Sequence, residues 1–338
     1  MCIRDRATIA EDGNLFVGQV VAASDAVGVT DSSGLDGYDL MGQLVSETPG
    51  ATQAQLIALD KSTAVFNERD GMAIAVDLLS GEQVWQTTGW VANADDSTVS
   101  GDAVYLCRGQ DSDGLTAVDA ATGEDLWETS HFCSSPVSHG ELVTVVSHDP
   151  NVDGGNRVTV VDAATGELVS DEALFDGIDD QVNGFDYAIA VGTNTVTAGT
   201  QADLVVLAQD GTELARQTER LGTPLGQADG VAIFGSHEHV LAYDVTEQTK
   251  LWTLDIDAFS QVAIDNSSIL VLDRANGTVS RLDASTGEPR WTTPIGATTG
   301  FAAAATAETA YILTTQALIA VDNTTGEVVW SEHRSLEG

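Results

Sequence analysis

One phrase recurs along this chain of 338 residues and limits what it can fold into. "AVDAATGEDLWET" at 117–129 returns as "VVDAATGELVSDE" at 160–172, "RLDASTGEPRWTT" at 281–293 and "AVDNTTGEVVWSE" at 320–332. Aligned on its aspartate, the series runs Asp77, Asp119, Asp162, Asp244, Asp283 and Asp322, at intervals of 42, 43, 82, 39 and 39 residues. The 82-residue gap has room for one more unit, filled by "DLVVLAQDGTELARQT" at 203–218 with a shortened turn at Asp210 and Gly211. Upstream, "GYDLMGQLVSE" at 37–47 is a degenerate copy whose Asp39 lies 38 residues before Asp77. Eight units of about 40 residues are blades of a propeller or turns of a solenoid.

The inside of the unit decides between the two. Around Asp162 it reads "SSPVS", Gly140, "ELVTVVS", a loop, "RVTVVD", "AATG" and "ELVS". These are four short runs rich in Val, Leu and Thr, separated by turn residues, as in strands joined by hairpins. No stretch carries capped 3.6-residue periodicity, which removes helical solenoids. Four antiparallel strands per repeat make a propeller blade, so the expected fold is all-β, an eight-bladed propeller of four-stranded antiparallel blades. Residues 7–338 are read as one such domain, and "MCIRDR" at 1–6 as a non-native scar outside the pattern.

The recurring residues have assignable work. An Asp ending the third strand accepts hydrogen bonds from the N–H groups of the turn it starts. Four residues on stands a glycine (Gly81, Gly123, Gly166, Gly287, Gly326), suited to a left-handed backbone that closes the hairpin. Thr122, Thr165, Thr286 and Thr325 precede it and can bond locally. Eight residues after the Asp come Trp85, Trp127, Trp252, Trp291 and Trp330, five of the chain's six tryptophans. A large ring at one place on each outer strand suits blade-to-blade packing, with the indole N–H directed at a carbonyl. Ser170 takes that place in one unit and the 203–218 unit also lacks the ring, so contact between those two blades is expected to be looser.

This A-x-D-x-x-T-G-x-x-x-W pattern, with "SSP" and a Gly-led apolar strand before it, resembles the pyrroloquinoline-quinone-like (PQQ-like) repeat. The resemblance runs from about residue 8 to the end. It implies an eight-bladed propeller and one of two roles. Some such propellers are quinoprotein dehydrogenases holding the quinone and calcium. Others, the BamB-like branch and sensor domains of membrane kinases, bind no cofactor. The dehydrogenases are similar in an adjacent Cys-Cys disulfide at the quinone, a Trp beneath it, and Asn, Glu and Asp around calcium. This chain has no adjacent cysteines, and all its tryptophans but Trp90 occupy the outer-strand place. The resemblance therefore favours the non-catalytic branch, with no cofactor expected.

Charge narrows the partners. Thirteen Lys and Arg against 52 Asp and Glu give a net charge of −39. Nucleic acid requires basic patches that release counterions from phosphate, and an anionic membrane surface would repel this chain. No apolar run approaches the roughly 18 residues that cross a membrane, so direct insertion is not expected. The acid is spread through loops, which fits a strongly solvated secreted protein or one from a saline habitat, and self-repulsion should weaken the fold at low salt.

Several residues invite a sharper reading. Cys107 and Cys133 are the only cysteines outside the scar, and a disulfide between blades is within reach in an oxidising compartment. "DPNVDG" at 149–154 matches the front of a calcium loop through Asp149, Asn151 and Asp153, but its twelfth position is Val160 where a bidentate Glu belongs. Calcium is thus a candidate metal set against an ordinary Asp-Gly turn. His237 and His239 could serve zinc only with further ligands, and a solvated turn is preferred. Glu172, Asp176, Asp179, Asp180 and Asp186 crowd one inter-blade loop, where a solvated acidic loop is preferred to acid–base catalysis. No nucleophile elbow and no phosphate-cradling loop occurs. The expected function is non-catalytic: a monomeric extracytoplasmic scaffold presenting rim loops to a protein partner. A small quinone-dependent dehydrogenase and a ligand-sensing receptor ectodomain are the alternatives. The native signal or anchor is expected to be missing from the scarred N-terminus.

Overall fold

The structure is a computed structural model. It describes residues 19–30, 34–49, 56–58, 61–67, 72–87, 97–108, 114–130, 133–148, 156–173, 188–191, 195–199, 204–208, 212–217, 223–228, 231–235, 239–244, 247, 249–256, 261–264, 268–273, 276–296 and 301–333. The described residues form eight four-stranded sheets and no helix. The first blade is β1 (Val20–Ala22), β2 (Ala26–Thr30), β3 (Gly34–Asp39) and β4 (Leu44–Pro49). The second is β5 (Leu56–Ala58), β6 (Thr63–Asn67), β7 (Ala73–Asp77) and β8 (Gln83–Gln86). The third is β9 (Ser97–Ser100), β10 (Ala103–Arg108), β11 (Gly114–Asp119) and β12 (Asp125–Glu128). The fourth is β13 (Ser134–His139), β14 (Leu142–His148), β15 (Asn156–Asp162) and β16 (Leu168–Ala173). The fifth is β17 (Ala188–Val191), β18 (Thr195–Gly199), β19 (Leu204–Ala208) and β20 (Glu213–Gln217). The sixth is β21 (Thr223–Ala228), β22 (Val231–Gly235), β23 (His239–Asp244) and β24 (Thr249–Asp255). The seventh is β25 (Gln261–Ile264), β26 (Ser268–Asp273), β27 (Thr278–Asp283) and β28 (Pro289–Pro294). The eighth is β29 (Phe301–Ala305), β30 (Thr309–Thr314), β31 (Ala317–Asp322) and β32 (Val328–His333). Each blade is an antiparallel meander, and the chain is an all-β propeller of such blades, as the repeat implies.

Two compact units are present. One comprises Met1–Thr87, Ile256–Asp283 and Glu288–Gly338, and the other Thr88–Asp255 with Ala284–Gly287. In the first unit β29 lies beside β25 and β1, and β1 beside β5, so the seventh, eighth, first and second blades are neighbours in that order. In the second unit β13 lies beside β9 and β17, and β17 beside β21.

Burial changes across a blade, and the sequence follows it. Inner strands such as β2, β10 and β31 are buried on both faces and read as continuous apolar runs. Outer strands alternate between exposed and partly buried residues, as β4, β24 and β28 do. Every blade carries an irregularity at the same place between its third and fourth strands, and the fourth and sixth blades carry a second between their first two. Register slips between the two residues preceding the third-strand Asp or its equivalent, at Gly37/Tyr38, Ala75/Val76 and Ala117/Val118, for example. In the third blade Ala117 pairs with Trp127 and Val118 with Asp125, leaving Leu126 as the extra residue of a β-bulge. Val45, Val84, Val169, Leu214, Leu251, Arg290 and Val329 hold that position in the other seven. The bulge turns this unpaired residue to solvent and swings the next one, a tryptophan in five blades, back towards the protein.

Candidate functional site

The repeated phrase builds a latch between neighbouring blades. Its aspartate first organises its own turn. Asp119 Oδ1 accepts the N–H groups of Ala121 (3.0 Å) and Thr122 (2.8 Å) and the Thr122 hydroxyl (2.9 Å). Asp162 does the same with Ala164 and Thr165, and Asp322 with Thr324 and Thr325. Asp77 accepts from Leu79, Ser80 and the Ser62 hydroxyl, Asp39 from Met41 and Gln43, and Asp244 from Glu247. These donors favour the charged carboxylate and hold Asp119 and Asp162 below the ordinary range, led in each by the threonine hydroxyl. At Asp322 the backbone N–H of Thr325 leads, and at Asp77 the hydrogen bonds outweigh an opposing burial. Asp77, Asp119, Asp162 and Asp322 are thus turn caps held in the charged form, with no proton left to offer a substrate at neutral pH.

The turn then receives the previous blade's ring. Trp127 Nε1 donates to Ala163 O at 3.1 Å, Trp252 to Ala284 O at 2.8 Å, Trp291 to Asn323 O at 3.0 Å and Trp330 to Leu40 O at 2.9 Å. Each acceptor is the residue after the next turn's aspartate. The turn glycine lies flat on the same ring, and a Cβ on Gly166, Gly287 or Gly326 would stand 2.6–2.8 Å from Trp127, Trp252 or Trp291. Their φ values of 71–76° are in the left-handed region as well. Glycine is therefore required twice, by the turn and by the approach of the indole. Gly81 and Gly123 share the conformation, and Trp85 is buried. Behind Trp127 and Trp330 stand Tyr105 and Tyr311, with ring centroids 5.8 and 6.0 Å away. Tyr105 also donates to Ala163 O, and burial, aided by the Asp162 charge, pushes its phenol up.

Three blades lack the ring at this register, the first at Ser46, the fourth at Ser170 and the fifth at Ala215, and the sequence identified the last two but not the first. Ser170 pairs with Val160 in the tryptophan's register, and its hydroxyl is buried without a partner among the described residues. The shortened turn at Asp210 and Gly211 lies outside the described residues. In the first blade Ser46 occupies the register and donates to Leu78 O at 2.6 Å, reproducing the latch without a ring. The vacated space is taken from the other side. Leu78 is fully buried against Gly28 and Gly37, which pair with each other and, through Gly37, with Ser46. The signal was a leucine after the aspartate, where the Asp119, Asp162 and Asp283 units have Ala, facing a row of small residues.

Cys107 and Cys133 form a disulfide that ties β10 to the start of the fourth blade, within a cluster that includes Tyr105, Leu115 and Val143. Asp149, Asn151 and Asp153 lie outside the described residues, as do His237, Trp90 and Asp176, Asp179, Asp180 and Asp186. Val160 is a buried β15 residue, and His239 opens β23 opposite Asp255. Among the described residues no three His, Cys, Asp or Glu converge as a metal site, and no helix is long and apolar enough to cross a membrane.

The family model for the outer membrane protein assembly factor BamB matches residues 17–169, 69–293 and 275–337. No curated protein matches the sequence. Among solved structures, BamB from Moraxella catarrhalis is similar with a TM-score of 0.64 at 17% identity, over 92% of this chain and 96% of that one. Apo AztD from Citrobacter koseri gives 0.66 at 13% identity, over 93% and 95%. The quinohemoprotein alcohol dehydrogenase from Comamonas testosteroni gives 0.59 at 12% identity, over 93% of this chain and 73% of that one. At such identities these likenesses carry the fold.

Proposed function

The chain belongs to the family of the outer membrane protein assembly factor BamB, and from that premise we propose that it is a non-catalytic, extracytoplasmic binding scaffold. One observation carries the reading: the repeated Asp, Thr, Gly and Trp are spent on turns and blade contacts, with the indole N–H groups of Trp127, Trp252, Trp291 and Trp330 all bonded to the next turn. The recurrent chemistry of the chain thus goes into a rigid platform, which suits presentation of a surface to another polypeptide. The Cys107–Cys133 disulfide supports an oxidising compartment, since such bonds persist outside the cytosol. The partner-facing rim in this reading is built by the inter-blade loops. The working form is a monomer, kept apart from its copies by its charge of −39.

Titration of the purified chain with pyrroloquinoline quinone and calcium, followed by visible absorbance and dye-coupled alcohol oxidation, tests this directly. We expect no saturable quinone binding into the high micromolar range. Stoichiometric binding with turnover would replace the scaffold by a quinone-dependent oxidoreductase.

A further inference from the structure

Exposed aliphatic side chains are unevenly spread over this protein. A single one at the bulge position recurs in seven of the eight blades and is part of the architecture. Of the thirteen large apolar residues exposed among the described residues, however, eight fall on the eighth, first and second blades. The bulges there hold Val329, Val45 and Val84, and Val328 and Leu44 add a second exposed residue on β32 and β4. The turns depart from the repeat too. Met41 is 76% exposed and Leu79 40% exposed at the place where other units carry Ala121, Ala164, Ser285 or Thr324.

Known contacts make these residues one surface. The Asp39–Gly42 turn, with Leu40 and Met41, sits on Trp330 of β32 through the Leu40 carbonyl and Gly42. In the same way the Asp77–Gly81 turn, with Leu79, sits on β4 through Ser46. These contacts place the exposed apolar residues of β32, the first turn, β4, the second turn and β8 next to one another in that order. The seventh blade, also in this unit, ends the run with Arg290 at its bulge, paired to Asp283. Contiguous exposed apolar surface of this kind marks interaction sites on soluble proteins.

Charge identifies the occupant. Glu47, Glu82, Glu327 and Glu332 flank the patch on its own strands and turns, and Asp39 and Asp77 open the two turns. Among the described residues of these three blades the one lysine or arginine is Lys61, in the β5–β6 turn. A second copy of the chain would bring the same acids against these. We propose that the outer face of the eighth, first and second blades is a docking surface for a polypeptide segment in which aliphatic residues alternate with lysine or arginine. The aliphatic side chains cover Val329, Met41, Val45 and Leu79, and the cations meet the flanking glutamates. This rests on the reading of the chain as a protein-binding scaffold, but it uses the turns and outer strands, not the inter-blade loops.

The test uses the whole chain and a short blocked, fluorescent peptide alternating leucine with lysine, at moderate salt. Peptides alternating serine with lysine and leucine with glutamate serve as controls. The Leu-Lys peptide is expected to bind saturably, and Met41→Asp and Val329→Asp to weaken it at least about tenfold, or about 1.4 kcal/mol. Each substitution adds a negative charge, so a loss reports apolar contact. Met41→Ser, which adds no charge, is expected to weaken binding in the same direction. Leu126→Asp and Leu214→Asp, at equally exposed bulges of the other unit, are expected to leave binding unchanged. Equal losses at those two positions, equal affinity for the Ser-Lys or Leu-Glu peptide, or no binding would overturn the proposal. So would sedimentation showing a dimer that Met41→Asp dissociates, which would make the occupant a second copy. Quinone turnover would defeat the scaffold reading while leaving the peptide result to stand or fall alone.

Discussion

The indole N–H of Trp330 donates to the carbonyl oxygen of Leu40, 290 residues away in sequence. This is the bond that Trp127 and Trp291 make to the very next repeat, so the last outer strand treats the first turn as its successor. Replacing Trp330 by Phe keeps an aromatic ring at the position but removes the donor and part of the ring area over Gly42, which should cost about 1–2 kcal/mol. Trp330→Ala also removes the ring contact and its buried area, and should cost about 2–3 kcal/mol. Urea denaturation of the two variants checks both values, and equal losses would mean that the hydrogen bond carries the whole contact.

Three glycines separate backbone conformation from the approach of the indole. Gly101 has φ of 58° and nothing within 4 Å of an added Cβ, so Gly101→Ala should cost only the left-handed conformation, about 1–2 kcal/mol. Gly81→Ala meets Ser46 Cβ at 3.2 Å and should cost slightly more. Gly166→Ala drives a methyl to 2.6 Å from the Trp127 ring and should be the worst of the three, by about 1–3 kcal/mol over Gly101→Ala. If all three lose the same stability by denaturant titration, the ring gives way and glycine is there for its φ alone.

The turn aspartates make part of the stability depend on pH. Asp119 and Asp162 have carboxyls held below their ordinary value of about 4 by threonine hydroxyls and turn N–H groups. A group whose folded value is lowered contributes stability that is complete above its unfolded value and is lost as pH falls through the folded one. Asp119→Asn and Asp162→Asn should therefore melt below the parent at pH 7, and the gap should close as the pH drops below about 4. Melting curves across that range decide it; a gap that stays constant would mean that the charge is irrelevant to the turn.

Much of this latch was legible in the sequence because it is local and repeated. The Asp, the glycine four residues on and the Trp at eight each follow from turn chemistry inside one hairpin, while for Cys107 and Cys133 the sequence put a disulfide within reach and left two buried thiols as the equal alternative. Other features were not legible. Ser46 standing in for a ring depends on Leu78, 32 residues away in another blade, filling the space over Gly28 and Gly37. Such complementarity is set by register between blades, which no local pattern encodes. The bulge was equally hidden. "VW" or "LW" reads as one inward and one outward residue in any strand, and only the slipped pairing shows why both Leu126 and Asp125 stay exposed while Trp127 turns in. The acidic loop at 176–186 and the calcium-like "DPNVDG" have no repeat to interpret them and fall outside the described residues.

The disulfide closes a loop with a sequence separation of 26. On the chain-entropy account such a loop removes about 3.5 kcal/mol of freedom from the unfolded state. Replacing both cysteines by Ala, or reducing the bond, should lower stability by about 2–4 kcal/mol, with the third and fourth blades opening first. Hydrogen exchange on β10 and β13 before and after reduction reads this regionally. Unchanged protection there would mean that Trp127 and Tyr105, both bonded to Ala163 O, hold the two blades together unaided.

The net charge of −39 sets the final expectation. Repulsion among exposed carboxylates favours the expanded chain, and salt shortens its range from about 10 Å at 0.1 M to about 3 Å at 1 M. The melting temperature should therefore rise with sodium chloride over this interval. Screening and surface exclusion predict different salts to be effective. Sodium chloride and sodium sulfate matched in ionic strength should act alike if repulsion is relieved, whereas sulfate alone should act if apolar burial is being strengthened. A flat response to chloride with a steep one to sulfate would show that the acidic surface costs the fold little, and that its solvation already offsets the repulsion at low salt.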